Sequence, residues 1–487
     1  MNKKVLVANR SEIACRIFQT CREMGLSTVA IVAPGDEDAR HLTYADEVKK
    51  VSSYLDITSV VRAAQESKVH FVHPGYGFLS ERPAFARAVE SAGFIFIGPR
   101  PATLELMGGK ITAKELAVSQ KVPTLPWVRV ERGQDISLAA KKIGFPLLLK
   151  ASAGGGGKGM RRVSSSDELL SFAESASLEA ITAFGDGTLF LEKCLHQPRH
   201  IEVQVFGDGE GGGIHLHDRE CSLQRRHQKI WEEARAPHLS QSIREGLFDE
   251  ALKLVRATHY RSAGTVEFIL DESGQYYFLE MNTRLQVEHP VTEFVTGVDL
   301  VWAQIVQAQG GQNIFNESPS ARGHAIEVRL YAEDPAQGFI PTPGKIKVLR
   351  WPTGAGIRVE SGIEEGQEVG TQFDSMLGKL IVHASTRQQA LARLRYALDE
   401  TVILGIGCNQ SYLRSLVNHP QVKEGKVHTG FLENDFSNFS YYPSQEELDI
   451  LAAARVEGFG KLGPQKHSEA EIDPSPWFAF AKNGGMK

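Results

Sequence analysis

Short, largely apolar runs alternate with amphipathic stretches from the start of the chain. Val5 to Ala8 is a strand's length of apolar residues, Glu12 to Met24 has helical spacing and stops at Gly25, and Thr28 to Ala33 reads as a second strand. Val69 to Val72 and Phe94 to Ile97 predict further strands. This βαβ rhythm predicts an open, mostly parallel sheet. No GxGxxG motif accompanies it, so NAD is not implied. From about Pro101 the pattern changes to longer helices, a Gly-rich segment and dense polar clusters up to Pro290. A basic, β-rich region rich in Gly and Pro follows from Arg322 to about Lys379, then a helical stretch from Thr386 to about Leu398. The tail from about Asn434 is polar, and no repeat of solenoid or propeller period is present.

A length of 487 residues exceeds one ordinary core and suggests about three domains. The 42% hydrophobic and 23% charged residues are those of a soluble globular protein. A net charge of −5 gives no electrostatic case for nucleic acid or an anionic membrane as main partner. The first apolar run is far too short for a signal sequence or a membrane span. Five scattered cysteines without a CxxC pair argue against a disulfide framework or a zinc site. The expected compartment is cytoplasmic or equivalently reducing.

The first candidate for chemistry is the run Leu147-Leu148-Leu149-Lys150-Ala151-Ser152-Ala153-Gly154-Gly155-Gly156-Gly157-Lys158-Gly159-Met160. An apolar strand delivers a lysine, then the backbone loses nearly all its side chains. Such a loop lets N–H groups converge on phosphate oxygens while lysines add charge. It is not the P-loop pattern, and a flexible linker is the plainer alternative.

Thr265 to Leu270 and Gln275 to Asn282 read as a hairpin with Asp271-Glu272-Ser273-Gly274 as its turn. A four-residue turn pairs Leu270 with Gln275 and Glu267 with Phe278, placing Glu267, Phe278, Glu280 and Asn282 on one face. Glu267 and Glu280 are then diagonal neighbours, roughly 7–8 Å apart. Two carboxylates and an amide oxygen make a hard-oxygen site suited to Mg²⁺ bound to nucleotide phosphates. A solvated face with incidental acids is the alternative, and a one-residue slip would break the geometry.

Arg284-Leu285-Gln286-Val287-Glu288-His289-Pro290 follows directly. Arg284 can grip a small anion and Glu288 can act as general base. Fully extended they would lie about 13 Å apart, so the loop must curl to bring both to one anion. A structural Arg–Glu pair is the competing reading. The ionisable cluster from His217 to Lys229 lies between apolar segments, which suits a polar cleft better than a solvated face. Cys221 within it reads as a packing residue, not a nucleophile. His73-Pro74-Gly75-Tyr76-Gly77-Phe78-Leu79-Ser80-Glu81 is a loop at the carboxyl end of a predicted strand, where ligands gather in open α/β sheets. Structural rigidity explains that loop equally well.

Taken together, these motifs resemble the biotin carboxylase family, a branch of the ATP-grasp ligases. The matching stretches are Val7 to Ala14, His73 to Glu81, the Gly-rich run, Gln224 to Lys229, Glu280 to Pro290 and Phe373-Asp374-Ser375-Met376-Leu377-Gly378-Lys379-Leu380-Ile381. They stand in the family's order over roughly residues 1 to 435; single motifs are weak and the ordered set is specific.

The resemblance implies a multidomain fold of α/β and α+β type. Residues 1–105 would form an N-terminal open α/β domain, and 106–315 an ATP-grasp domain with a mobile lid near 125–195. Residues 316–434 would form a C-terminal mixed α/β domain, and 435–487 a polar tail or linker. By matching position, Lys110, Lys150, Gly156, Gly157, His200, Gln224 and His227 look like ATP-site residues. Glu192, Lys193, Cys194 and Leu195 look like a hinge beside adenine. Glu267, Glu280 and Asn282 look like ligands of Mg²⁺ (or Mn²⁺). Lys229, Arg284, Gln286, Val287 and Glu288 look like a bicarbonate cradle with Glu288 as base, and Arg329 looks like the residue facing biotin and the carboxyphosphate intermediate. Ser11, Gly109 and Arg235 depart from the usual pattern without touching those groups.

The implied reaction is ATP-dependent carboxylation of biotin through carboxyphosphate. No Met-Lys-Met tip in a small β-rich domain is present, so the biotin is expected on a separate biotin carboxyl carrier protein, with a separate carboxyltransferase and a homodimer of this chain. Asp473-Pro474-Ser475-Pro476-Trp477 resembles the linker of methylcrotonyl- or propionyl-CoA carboxylase α subunits and tips the expectation toward an acyl-CoA carboxylase. The alternatives are a pyruvate- or urea-directed system, another ATP-grasp ligase, or a nucleotide-binding scaffold without turnover. The intact Lys, Glu and Arg set argues against the last.

Overall fold

The computed structural model describes residues 3–130, 136–152, 160–311, 314–437 and 439. Strand Lys4–Val7 lies between Ser27–Val32 and Phe71–His73, with Glu47–Lys50 and Ile95–Phe96 at the edges, and every pairing is parallel. Both faces are covered, as a parallel sheet requires. Val5, Val7, Ile13 and Phe18 pack on one side, and Leu6, Val29, Val72 and Phe85 on the other. The strand expected at Val69 starts at Phe71, because the Val69 N–H closes the preceding helix Ile57–Glu66 on the Ala64 carbonyl at 3.2 Å.

The loop after Phe71–His73 is pinned by Asn9, whose Nδ2 donates to the carbonyls of Pro74 (2.8 Å) and Tyr76 (2.7 Å). Gly75 has φ +62°, and a Cβ there would stand 2.7 Å from Asn9 Nδ2. Only glycine fits both the conformation and the space.

A second unit is a four-stranded antiparallel sheet in the order Trp127–Val130, Leu189–Lys193, Leu147–Ala151, Met160–Val163. Helices Ile136–Ile143 and Ser166–Phe184 accompany it, and the buried members of its apolar cluster all come from residues 136–191.

The large sheet has eight antiparallel strands in the order Tyr276–Asn282, Arg261–Leu270, Arg199–Asp208, Gly213–Arg225, Gln228–Ala234, His324–Tyr331, Met376–Ala384, Ile357–Ser361. It runs without a break from the central region into the C-terminal one through the pairing of Gln228–Ala234 with His324–Tyr331. Helix Arg387–Glu400 packs on it through Leu394 and Leu398. The Thr386 side chain caps that helix by accepting from Gln389 N, a polar start where the sequence places one. Among the described residues no helix is long and apolar enough to cross a membrane.

Candidate active site

Three adjacent strands of the large sheet carry a glutamate at one level. Glu280 stands directly opposite Glu267, and Glu267 directly opposite Glu202. Residues directly opposite share a face, so three carboxylates line up across the sheet.

This arrangement corrects the expected hairpin register. The turn is closed by the Asp271 N–H on the Gln275 carbonyl (2.9 Å), with Asp271 Oδ1 accepting from Ser273 N and Gln275 N. Leu270 therefore pairs with Tyr276, and a second one-residue shift between Glu267 and Phe268 leaves Leu279 as the extra residue of a bulge. The two shifts restore the parity of Glu280 and Asn282, so both stay on the face of Glu267, and Glu280 moves from diagonal to directly opposite. Phe278 leaves that face. It stands opposite Phe268 and packs edge-on against its ring in the apolar core.

Lys229 joins the carboxylates. Its ammonium donates to Glu202 Oε2 (2.7 Å), Glu267 Oε1 (2.9 Å) and Glu288 Oε1 (2.7 Å). Beneath it the wholly buried Arg219 donates to Glu202 Oε1 (2.5 Å), Gln204 Oε1 (2.7 Å), Thr292 Oγ1 (2.9 Å) and Thr265 Oγ1 (3.1 Å). The ionisable stretch thus lies in the sheet interior from Asp218 to Gln224, as its apolar flanks suggest, while Arg226 and His227 are exposed in the turn before Lys229. Cys221 has no exposure, and burial raises its thiol well above the ordinary range, consistent with a packing role.

Glu288 is fully buried at the start of helix His289–Thr296. Its second oxygen accepts from Arg329 Nη2 at 2.9 Å, and Arg329 Nε donates to Glu232 Oε1 at 2.7 Å. Burial alone would raise the Glu288 carboxyl, but Lys229, Arg329 and Arg219 outweigh it and hold it well below the usual range. Glu288 is therefore ionised at neutral pH.

Arg284 does not form the structural pair with Glu288 that the sequence left open. Its Nε donates to Glu81 Oε2 (2.8 Å), Nη1 to Gln286 Oε1 (3.0 Å) and Nη2 to Asn282 Oδ1 (3.0 Å). Glu81 ends the loop pinned by Asn9 and also accepts from Thr283 N at 2.9 Å, so the N-terminal sheet reaches into the site.

Of the expected metal trio, the two facing carboxylates, Glu267 and Glu280, have the chemistry to hold a hard cation. Burial raises the Glu280 carboxyl and the neighbouring Glu267 charge raises it further, with Lys110 only partly offsetting them. At Glu267 burial also opposes ionisation, but Lys229 and His200 outweigh it and lower the group far below its ordinary value. A cation held by the two carboxylates would offset the repulsion at Glu280, and the Asn282 amide, which gives its NH2 to Glu267 Oε1 and its oxygen to Arg284, would have to turn to join them. The neighbouring donor cluster of His200, Glu202 and Glu267 is already served by the Lys229 ammonium.

Around this floor, His200 Nε2 stands 3.2 Å from Glu267 Oε2, and Gln224 Nε2 lies 2.6 Å from His200 Nδ1. His227 lies in the turn between Gly213–Arg225 and Gln228–Ala234, solvent-accessible but desolvated enough on its inner side to lower its pKa. On the facing side, the Glu192 carboxylate contacts both Lys150 and Lys114. Lys193 and Leu195 are half-buried where the four-stranded sheet leads into strand Arg199–Asp208. Lys110 opens helix Lys110–Ser119, and burial lowers its pKa. Gly156 and Gly157 lie outside the described residues.

Three family models match in succession. They are described as "Biotin carboxylase, N-terminal domain" over residues 1–104, "Carbamoyl-phosphate synthase L chain, ATP binding domain" over 109–313, and "Biotin carboxylase C-terminal domain" over 327–434. The biotin carboxylase of Halalkalibacterium halodurans is 46% identical over 450 residues, covering 89% of this chain and 98% of that one. The chain belongs to the biotin carboxylase family. Members of this family are ligases that carboxylate biotin with ATP and bicarbonate, and this chain is one of them. The methylcrotonoyl-CoA carboxylase subunit alpha of Dictyostelium discoideum is 42% identical over 497 residues, 99% of this chain and 70% of its own length. The biotin carboxylase domain dimer of the Hydrogenobacter thermophilus 2-oxoglutarate carboxylase, solved with MgADP, ADP and bicarbonate, superposes with a TM-score of 0.88 at 44% identity. It covers 91% of this chain and 100% of that one. The fold is thus the three-domain biotin carboxylase fold with its ATP-grasp domain.

Sequence reasoning named Glu81 and Arg219 only within longer motifs, without a role for either, and missed Lys114, Glu202 and Glu232. A signal existed for Glu202: in Arg199-His200-Ile201-Glu202-Val203-Gln204-Val205 the polar residues alternate with apolar ones inside a strand buried on both faces.

Proposed function

We propose that this chain activates bicarbonate with ATP and carboxylates biotin on a separate carrier protein, as the first half-reaction of an acyl-CoA carboxylase. The observation that carries the site assignment is the Glu288 carboxylate, buried, ionised and gripped by Lys229 and Arg329, in the same short loop as Arg284. Arg284 fixes the bicarbonate anion with Gln286 and Val287 beside it, and Glu288 accepts its proton. Lys229 is shared between Glu288 and the phosphate side of the site. When its ammonium turns to phosphate, Glu288 loses one of the cations that lower its pKa and becomes the stronger base.

Lys110, Lys150, Gly156, Gly157, His200, Gln224 and His227 bind ATP, with Glu192, Lys193 and Leu195 on the adenine side. Glu267, Glu280 and Asn282 hold magnesium, whose charge, when bound, eases attack on the γ-phosphoryl group. Arg329, already against Glu288, receives biotin. The four-stranded sheet of residues 127–193 acts as the lid that keeps water from carboxyphosphate.

The acyl-CoA assignment is supported by the Dictyostelium relative, whose match runs over 99% of this chain, and by the Asp473 to Trp477 stretch. A homodimer is supported by the dimeric Hydrogenobacter structure, and a reducing, cytoplasmic setting by five free cysteines. ADP release from MgATP and bicarbonate, with and without free biotin, tests the reaction in the native chain and in Glu288→Gln. Biotin-stimulated turnover that drops about 100-fold or more in the variant supports it, since a positioned base contributes about 10²–10⁴. ATP hydrolysis that ignores biotin would overturn it. Transfer of labelled bicarbonate to an acyl-CoA, against pyruvate, by the assembled enzyme tests the final acceptor.

A further inference from the structure

The segment Phe373 to Ile381 matches the family, yet no role in the reaction above uses it. Its Lys379 lies on strand Met376–Ala384 with no exposure at all. A wholly buried lysine is uncommon unless paired. Its ammonium donates to the backbone carbonyl of Val287 at 2.7 Å and lies 2.7 Å from Glu360 Oε2 and 3.5 Å from Glu12 Oε1. One ammonium therefore ties the N-terminal helix, the anion-binding loop and the C-terminal sheet together.

The register makes this more than a structural tie. Lys379 stands directly opposite Arg329 on the neighbouring strand. Two cations so placed repel unless each has its own anions. Arg329 has Glu232 and Glu288, and Lys379 has Glu360 and Glu12. The pair thereby grips two consecutive residues of the loop: Arg329 holds the Glu288 carboxylate, and Lys379 holds the Val287 carbonyl. A residue whose backbone oxygen is fixed has its next peptide plane fixed too, because that plane is rigid. The close approach of Lys379's strand to Ile357–Ser361 depends on Gly378, where a Cβ would stand 2.8 Å from the Glu360 carbonyl oxygen.

We propose that Lys379 is a positioning residue for bicarbonate. Through the Val287 carbonyl it sets the peptide that carries Glu288, so that base and Arg284 meet one anion. This rests on the assignment of Glu288 and Arg284 to bicarbonate.

Two variants test it. Lys379→Arg keeps the buried charge but shifts the donor away from the Val287 carbonyl. Lys379→Met with Glu12→Gln removes one positive and one negative group together, while Glu360 retains Arg358 and Arg16. Steady-state kinetics of each are compared with the native chain and with Glu288→Gln. The expected result is a KM for bicarbonate raised about 10-fold or more, a KM for ATP within about twofold, and a melting temperature for Lys379→Arg near the native one. A merely structural charge would let Lys379→Arg restore the native KM for bicarbonate, and that outcome overturns the proposal. So does a native bicarbonate KM in the charge-balanced double variant, and either folded variant decides. If Glu288→Gln keeps full turnover, the site reading itself fails, a result distinct from both.

Discussion

At the four-stranded sheet two buried ammonium groups, Lys114 and Lys150, share the single carboxylate of Glu192. In the large sheet a single ammonium, Lys229, is shared by Glu202, Glu267 and Glu288. The first cluster is left one positive charge in excess. In the second, Arg219 and Arg329 join Lys229 against the three carboxylates, and Glu280, raised by burial and by its neighbour Glu267, is the carboxylate left over. Uncompensated buried charge costs several kcal/mol, so neither cluster is what a purely structural site would use. With nucleotide phosphates on the lysine side and a divalent cation on the glutamate side, each surplus finds its complement. The difference teaches that polarity across the cleft is built into the protein before any substrate arrives.

The sharpest way to break this contrast is Lys229→Met. It leaves three carboxylates without their common cation, and breaking a buried charge cluster costs about 3–5 kcal/mol. Denaturant unfolding should show that loss, and biotin-stimulated ADP release should fall to background. Unchanged stability would mean that the carboxylates are not all ionised and that the excess of negative charge on this side is illusory.

Glu192→Gln tests the other side. Burial opposes ionisation of Glu192, but Lys150 and Lys114 outweigh it and bring its pKa to about 2, against 4.5 ordinarily. A carboxyl lowered on folding adds stability that is fully present above pH 4.5 and is lost as pH falls toward 2. The shift corresponds to about 3 kcal/mol. The difference in unfolding free energy between native chain and variant should therefore be largest near neutrality and shrink between pH 4.5 and 2. A difference that is flat with pH would remove the ion pairs from the account.

How much of this was legible beforehand differs between the two regions. The βαβ rhythm, the hairpin and the Arg284 to Glu288 loop could be read because short-range alternation carries them. The level alignment of Glu280 with Glu267 could not, because it depends on a three-residue turn and on the bulge at Leu279, neither marked by residue type. Glu202 was passed over because alternation in a strand ordinarily signals a wet face, whereas here both faces are buried. The roles of Lys114 and Glu81 were hidden for another reason: their partners Glu192 and Arg284 lie far along the chain, and only tertiary packing joins them. Ser11, which stands where glycine is common, has φ +57°, a conformation that glycine adopts without strain.

Glu280→Gln sharpens the metal side of the comparison. Burial and the Glu267 charge raise the Glu280 carboxyl, so neutralising it relieves repulsion in the metal-free protein. The melting temperature without magnesium should stay level or rise slightly. The stabilisation gained on adding magnesium with ATP should shrink, and the magnesium concentration for half-maximal turnover should rise about 10-fold. A variant with native magnesium dependence would move the cation away from this carboxylate.

The smallest effect belongs to Glu81→Gln, and it probes where the two sides meet. Glu81 accepts from Arg284 Nε and from Thr283 N, and it comes from the N-terminal sheet, not from the strands that carry Arg284. Glutamine keeps an oxygen for one of these bonds and removes the charge. Glu81 is about one-third exposed at its side chain, so solvent screens the lost ion pair and stability should change by less than about 1 kcal/mol. Arg284, in contrast, loses the partner that fixes its Nε edge while Gln286 and Asn282 still hold the other two nitrogens. The guanidinium should therefore stay in the site but be less well aimed. The expected signature is a KM for bicarbonate raised about three- to fivefold with kcat and the KM for ATP nearly unchanged. An effect on kcat alone would instead assign Glu81 to the chemical step, and the anion side of the cleft would then extend into the N-terminal sheet.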